Sequence, residues 1–374
     1  GAVGETHSLA SINLFNTYGS GSTFNGTVNT KALTLNSASY SSATFNDVLT
    51  VADAAKFTGS NQNLILAADA NFANGISFNG YNSTITLDSA EGDKTFMGTI
   101  NTVDNSSTGI LQIQGTNTFT LANAVASSAA QRLYLVQVND NSKASFSHDI
   151  YSQYFNILNG ATATFGCNVD GAVQLRDGTM IVQDGFNVTG TIDNIVTGNG
   201  YGVLKLLGTN TVSGAVGSSY ALKSITTGAS GAIATFSSTV NATTISSDAG
   251  KTVFNGNIFT DLVTGTLNFT ADGIVELASG KTIAGVVSTN TADTGTLTLN
   301  GTSKVTGTVG SGKALKLVTA GQSATTSTFD DKVNATTISV GSGTAAFNGD
   351  VTGGLTFSAN GTMKLYAGGT IIGT

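Results

Sequence analysis

Phe236-Ser237-Ser238-Thr239-Val240-Asn241-Ala242-Thr243-Thr244-Ile245-Ser246, with Phe254-Asn255-Gly256 eight residues further on, decides how this chain folds. Phe236 is followed four residues later by Val240, and Phe254 by Ile258, with small or polar residues between. The same spacing recurs at Phe24/Val28, Phe45/Leu49, Phe72/Ile76, Phe96/Ile100, Phe146/Ile150, Phe165/Val169, Phe329/Val333 and Phe347/Val351. Many neighbouring copies lie about 18 to 21 residues apart, as from Phe236 to Phe254 and from Phe24 to Phe45, near the length of one solenoid coil. An i, i+4 pair shares a face on a strand and also on a helix. The β-branched content and the embedded Gly and Asn select strands.

A period of about 20 residues is one coil of a parallel β-helix, built from short strands and turns stacked ~4.8 Å apart. We therefore expect an all-β parallel solenoid with coils of about 18–21 residues. Its core ladder would include Phe24, Phe45, Phe165, Phe236, Val240, Phe254, Phe329, Val333 and Phe347. Asn, Gly and Asp would form the corners.

A longer repeat encloses the short one. Val240–Ser246 recurs unchanged at Val333–Ser339, and Phe254-Asn255-Gly256 at Phe347-Asn348-Gly349, both at an offset of 93. Gly202-Val203-Leu204 matches Gly295-Thr296-Leu297 at the same offset, and a weaker relative begins at Gly109. After Gly349 the last copy loses five residues, so that Leu277–Ile283 matches Leu365–Ile371 at an offset of 88. This divides the chain into a divergent region 1–108, a degenerate repeat 109–201, a repeat 202–294 and a shortened repeat 295–374. A period of this length also suits tandem immunoglobulin-like β-sandwiches. The lone cysteine, the lack of Trp and the lack of Pro-marked linkers favour the solenoid.

Composition agrees. The 374 residues include 47 Gly and no Pro, and Pro would break a strand ladder bonded on both sides. Only 10% of residues are charged, and 15 basic residues face 22 acidic ones, which leaves no footprint for nucleic acid. No apolar run reaches the ~18–20 residues of a membrane-spanning helix.

The phrases Gly295–Thr302, Val305–Gly310, Ala314-Leu315-Lys316 and Val333–Thr337, with their copy at 202–246, resemble the passenger repeats of rickettsial surface cell antigens, the large outer-membrane autotransporters A and B. The resemblance covers roughly residues 202–374. It implies a secreted β-helical passenger, exposed on the bacterial surface and used in adhesion or as a surface-layer coat. The chain is shorter than those passengers and has no closing series of barrel strands, so we expect either a passenger segment or a stand-alone surface protein.

Chemistry-bearing constellations are sparse. His7 and His148 lie far apart in the chain, and no His or Cys pair has metal-ligand spacing. Cys167 reads as a buried apolar residue. Some β-helices cleave polysaccharides with paired carboxylates, for which Asp88, Glu91, Asp93, Asp170, Asp177, Asp184 and Asp193 are the candidates. Turn chemistry explains the Asp-Gly pairs among them equally well. Asp330-Asp331 reads as a solvated turn. The nine Asn-x-Ser/Thr sequons, Asn25, Asn82, Asn105, Asn241 and Asn334 among them, read as solenoid corners.

We expect no catalytic, cofactor-binding or metal site. The function expected is a structural or adhesive surface rod, a coat, fibre or adhesin outside the outer membrane. The alternative is a carbohydrate-active β-helix of tailspike or polysaccharide-lyase type, in which tyrosines would cluster beside two carboxylates. Leu9, Ile12 and Leu14, with Ile371 and Ile372, read as β-prone edges. The partner expected there is a second copy joined head to tail, or a continuation of the same polypeptide. A host or neighbouring cell surface is the further partner of an adhesin.

Overall fold

The computed structural model describes residues 1–36, 40–79, 82–103, 109–259, 265–366 and 368–373. It is an all-β solenoid: strand after strand pairs in parallel with its counterpart one coil away. Among the described residues the only helical element is one 3₁₀ turn, Ala129–Gln131. The chain divides into two compact units, Gly1–Ile181 and Val182–Thr374. The division falls inside the degenerate repeat 109–201.

Each coil has three faces. In the first unit one face stacks Gly21–Phe24, Ser42–Phe45, Asn63–Leu66, Thr84–Asp88, Ile110–Gln114 and Leu133–Val138. The second carries Ala70–Phe72, Lys94–Met97, Thr118–Leu121, Lys143–Phe146 and Thr162–Phe165. The third joins Ile12–Leu14, the far half of Val28–Leu35, the far half of Leu49–Phe57, Ile76–Phe78 and Ile100–Thr102. Val28–Leu35 and Leu49–Phe57 each bend through a register shift and so serve two faces.

Strand after strand alternates buried and half-buried residues, as a pleat with one face inward requires. Inward Phe rings stack in register: Phe24 on Phe45 at 4.6 Å, Phe146 on Phe165 at 5.1 Å, Phe236 on Phe254 at 5.1 Å and Phe329 on Phe347 at 5.0 Å. These separations match the strand spacing of ~4.8 Å, so the backbone ladder sets the ring spacing. Phe155, from the first face, meets Phe146 and Phe165 edge-on across the core at 5.4 and 5.1 Å.

Two expectations need refinement. The aromatic and aliphatic members of the short motif do not share one strand. Phe329 ends Thr326–Phe329, and Val333 begins Val333–Val340 on the next face, with Asp330-Asp331-Lys332 as the corner between. Both still point inward, because the chain turns between them. Some coils are also longer than the motif spacing implies, since Phe96 stacks over Leu121 and Leu121 over Phe146. The extra length lies in corners, which the inward pattern does not register.

In the second unit the long repeat is not a whole number of coils. From Tyr201–Leu206 through Leu222–Thr227, Ala242–Ser247 and Thr266–Phe269 to Val286–Thr289 is four coils along one face. The next strand, Thr296–Leu299, lies on a different face, paired with Ile274–Leu277. The copy beginning at Gly295 is therefore displaced by four coils and one face. The same shift carries the Val216–Val240 bridge to Val309–Val333 on another face. The five residues missing from the last copy correspond to 260–264, which lie outside the described residues.

Candidate functional site

Phe45, Phe165, Phe236, Val240, Phe254, Phe329, Val333 and Phe347 are at most 1% exposed, while Phe24, on the first coil of its face, is half-buried. Ile12 and Leu14 are buried and pair with Leu33 and Leu35. Leu9 is exposed and bridges Thr30. Ile371 and Ile372 are exposed and pair with Val351 and Thr352.

Most of the candidate carboxylates are spent on structure; Glu91 instead lines an open groove of about 340 Å³ with Asp88, Asn46, Ala67 and Ala90. Corner acids accept a backbone N–H from the coil above: Asp69 from Thr95 (2.8 Å), Asp93 from Thr118 (2.8 Å), Asp149 from Asn168 (2.9 Å) and Asp184 from Thr209 (2.7 Å). Asn257 does the same for Thr282 at 3.0 Å. Asp193 receives the N–H and hydroxyl of Ser219, and Asp88 receives Ala90 N–H and the Gln114 amide. Asp170 lies 3.7 Å from Arg132, and Asp177 occupies a left-handed turn at φ 73°. Asp330 is held by Lys304 at 2.6 Å and by Asn348, while Asp331 accepts the N–H of Lys332. The bonds from backbone N–H groups pair donors that would otherwise be left to solvent.

His7 and His148 are both exposed. Cys167 is buried in a corner, and burial, with a smaller contribution from Asp149, pushes its thiol far above the ordinary range. It is an inert packing residue. Among the described residues no group of three or more His, Cys, Asp or Glu is placed to hold a metal ion. No helix among them is long and apolar enough to cross a membrane. Of the sequons, Asn241 is 1% exposed and its amide donates to Gly217 O at 3.2 Å, a corner bond. Asn334 repeats that bond to Gly310 O at 3.2 Å. Asn105 lies outside the described residues.

Ion pairs join the coils from outside, and the shortest among the described residues reaches across two coils, from Lys316 to Asp272 at 2.5 Å. The Lys316 ammonium, helped by the Gly295 N–H, holds the Asp272 carboxyl below its usual range. A lowered folded-state pKa stabilises above the ordinary carboxylate pKa, and that contribution is lost as pH falls through the lowered value. NMR titration of Asp272 should show an acid-shifted midpoint that moves back toward the ordinary range in Lys316→Met. With both side chains about half exposed, the effect on stability should be small.

The tyrosines are only partly scattered: Tyr134, Tyr151 and Tyr154 lie on adjacent coils, with Tyr151 in register with Asp170. Tyr18 meets Tyr40 edge-on at 5.5 Å, while Tyr201, Tyr220 and Tyr366 are exposed in the second unit. Tyr81 lies outside the described residues. One tyrosine pair belongs to a concave feature. Tyr134 and Tyr154, on adjacent coils of the first face, meet edge-on at 5.6 Å. With Leu135, Asn156 and Gln174 they line a groove of about 300 Å³. The register continues outward as a column of amides, Gln112, Gln137, Asn156 and Gln174, one per coil. Asn156 Oδ1 is shielded from solvent and accepts no hydrogen bond. The sequence signal for this column is an amide between two inward apolar residues: Leu111-Gln112-Ile113, Val136-Gln137-Val138, Phe155-Asn156-Ile157 and Val173-Gln174-Leu175. Neither the column nor the groove was among the expected sites.

Comparisons with protein-family models, with curated proteins and with solved structures returned no match.

Proposed function

We propose that this chain is a non-catalytic structural or adhesive protein of a bacterial cell surface, secreted across the outer membrane as a β-helical coat, fibre or passenger. The observation that carries this reading is the use of the corner carboxylates. A β-helical glycoside hydrolase needs two acids free to exchange protons with substrate. Here five of the seven candidates are held, Asp88, Asp93, Asp184 and Asp193 by backbone or side-chain donors and Asp170 by Arg132, and the two that are not, Glu91 and Asp177, lie in different parts of the sequence. The low charge, the repeats and the resemblance of 202–374 to rickettsial passenger repeats point the same way. The partner in this reading is a second copy stacked head to tail, or further coils of the same polypeptide.

Immunogold electron microscopy with antibody raised against the folded chain tests the location: label on the outer surface of intact cells supports the reading, and label confined to the cytoplasm contradicts it. Purified protein should release no reducing ends or unsaturated products from acidic polysaccharides, with or without added divalent cation. Turnover lost in Asp170→Asn or Asp177→Asn would establish the carbohydrate-active alternative. Light scattering of the native chain separates concentration-dependent growth from a stable monomer.

A further inference from the structure

We infer that the groove between Tyr134 and Tyr154 binds a neutral glycan, laid across the coils of the first unit. This supplies a ligand for the adhesive reading and rests on that reading only for its biological setting.

The side chains that line the groove, Tyr134, Leu135, Tyr154, Asn156 and Gln174, carry no charge. The ions at the start of the flanking strands, Arg132 and Asp170, neutralise each other. A charged ligand would lose its hydration there without gaining a counter-ion. What the groove offers instead is two phenol rings and two amides. A pyranose matches both: its C–H faces pack on aromatic rings, and its hydroxyls both donate and accept.

The two amides can reach two hydroxyls of one sugar for a geometric reason. Asn156 and Gln174 are register partners on neighbouring coils, so their outward groups stand ~4.8 Å apart along the column. Each amide presents a carbonyl acceptor and an NH₂ donor. Asn156 Oδ1 is an acceptor without a donor, an arrangement that costs free energy until something bonds it. Its terminal torsion is soft, so a small rotation turns that oxygen into the groove to meet a ligand hydroxyl.

A peptide fits less well. Extended peptides bind sheets mainly through a free strand edge. Leu133–Val138 is already paired on both sides, with Ile110–Gln114 and with Ile150–Ile157, so its main chain has no edge to offer.

Affinity electrophoresis of the full chain tests the inference, using native gels that contain dextran, galactomannan or xylan. Retardation by at least one of these neutral polymers is expected, and added salt should not abolish it. Tyr134→Ala and Gln174→Ala, both at solvent-facing positions, should weaken it roughly tenfold or more with an unchanged circular dichroism spectrum. Tyr201→Ala, in the other unit, should bind as the parent does. The inference fails if no neutral polymer retards the chain, or if both groove variants bind like the parent. It also fails if polygalacturonate or an uncharged Gly/Ser peptide binds in preference. Failure here leaves the surface reading standing, and a cytoplasmic location would leave binding in the groove intact.

Discussion

Replacing Phe254 by Ala should lower the stability of the second unit by ~3–5 kcal/mol, the cost of a large cavity that its surroundings cannot close. Phe254 is fully buried and stacks on Phe236 with rings 6° from parallel. Leu277 lies beside it in register on the following coil. The neighbouring backbones are fixed by their ladders, so the coil cannot collapse onto the vacated volume. In a solenoid each coil contacts only its neighbours, so the loss should be local. Hydrogen exchange should accelerate most in Ile233–Phe236, Lys251–Phe254 and Ile274–Leu277. Chemical denaturation followed by circular dichroism gives the size of the effect. Phe357→Ala, at a ring 50% exposed, should fall within about 0.5 kcal/mol of the parent.

The second large effect is expected at a corner. Gly217 and Gly310 are the same repeat position, with φ 64° and 69°. A Cβ on Gly217 would lie 2.2 Å from Asn241 O, and on Gly310 1.9 Å from Asn334 O. Neither oxygen can retreat, since each belongs to the backbone of the next coil. Gly217→Ala should therefore cost more than the ~1–2 kcal/mol of left-handed strain alone. Gly231, at φ 74° with open space around its Cβ position, isolates that strain term. Gly231→Ala should cost about 1–2 kcal/mol, and Gly217→Ala clearly more, in the same denaturation experiment. Equal losses would mean that the corner contact is not tight.

These two sites also mark what was legible in the sequence. The Phe motif revealed the solenoid because inward positions on stacked coils face one chemical requirement: to fill a column of fixed spacing. The Gly and Asn of 217, 241, 310 and 334 were legible as corners, since a left-handed turn and a side-chain-to-backbone bond restrict the choice of residue. The long repeat was legible as an identity but not as geometry. Nothing in its offset says that it closes four coils and one face, because corner lengths vary without changing the inward pattern. The groove was harder still. Tyr134 and Tyr154 meet only because the chain between them makes one full coil. Outward positions tolerate many residues, so the amide column stands out only once the register is known. The carboxylates were legible as turn residues, but their bonds to the next coil needed the third dimension.

The most direct test is a set of spin-label distances along one outward column of the second unit. Thr235, Val253, Glu276, Thr298, Thr319, Ser339 and Thr356 succeed one another in register, one per coil. Pulsed electron paramagnetic resonance on doubly labelled protein should place Thr235 about 19 Å from Thr319, four coils away, at ~4.8 Å per coil. Thr356, two coils further, should lie about 29 Å from Thr235 on the same spacing. A distance that rises in these even steps is the predicted result. Distances that fail to grow with coil number, or that instead place Thr235 and Thr356 in separate domains tens of ångströms beyond the expected value, would contradict the solenoid and everything built on it.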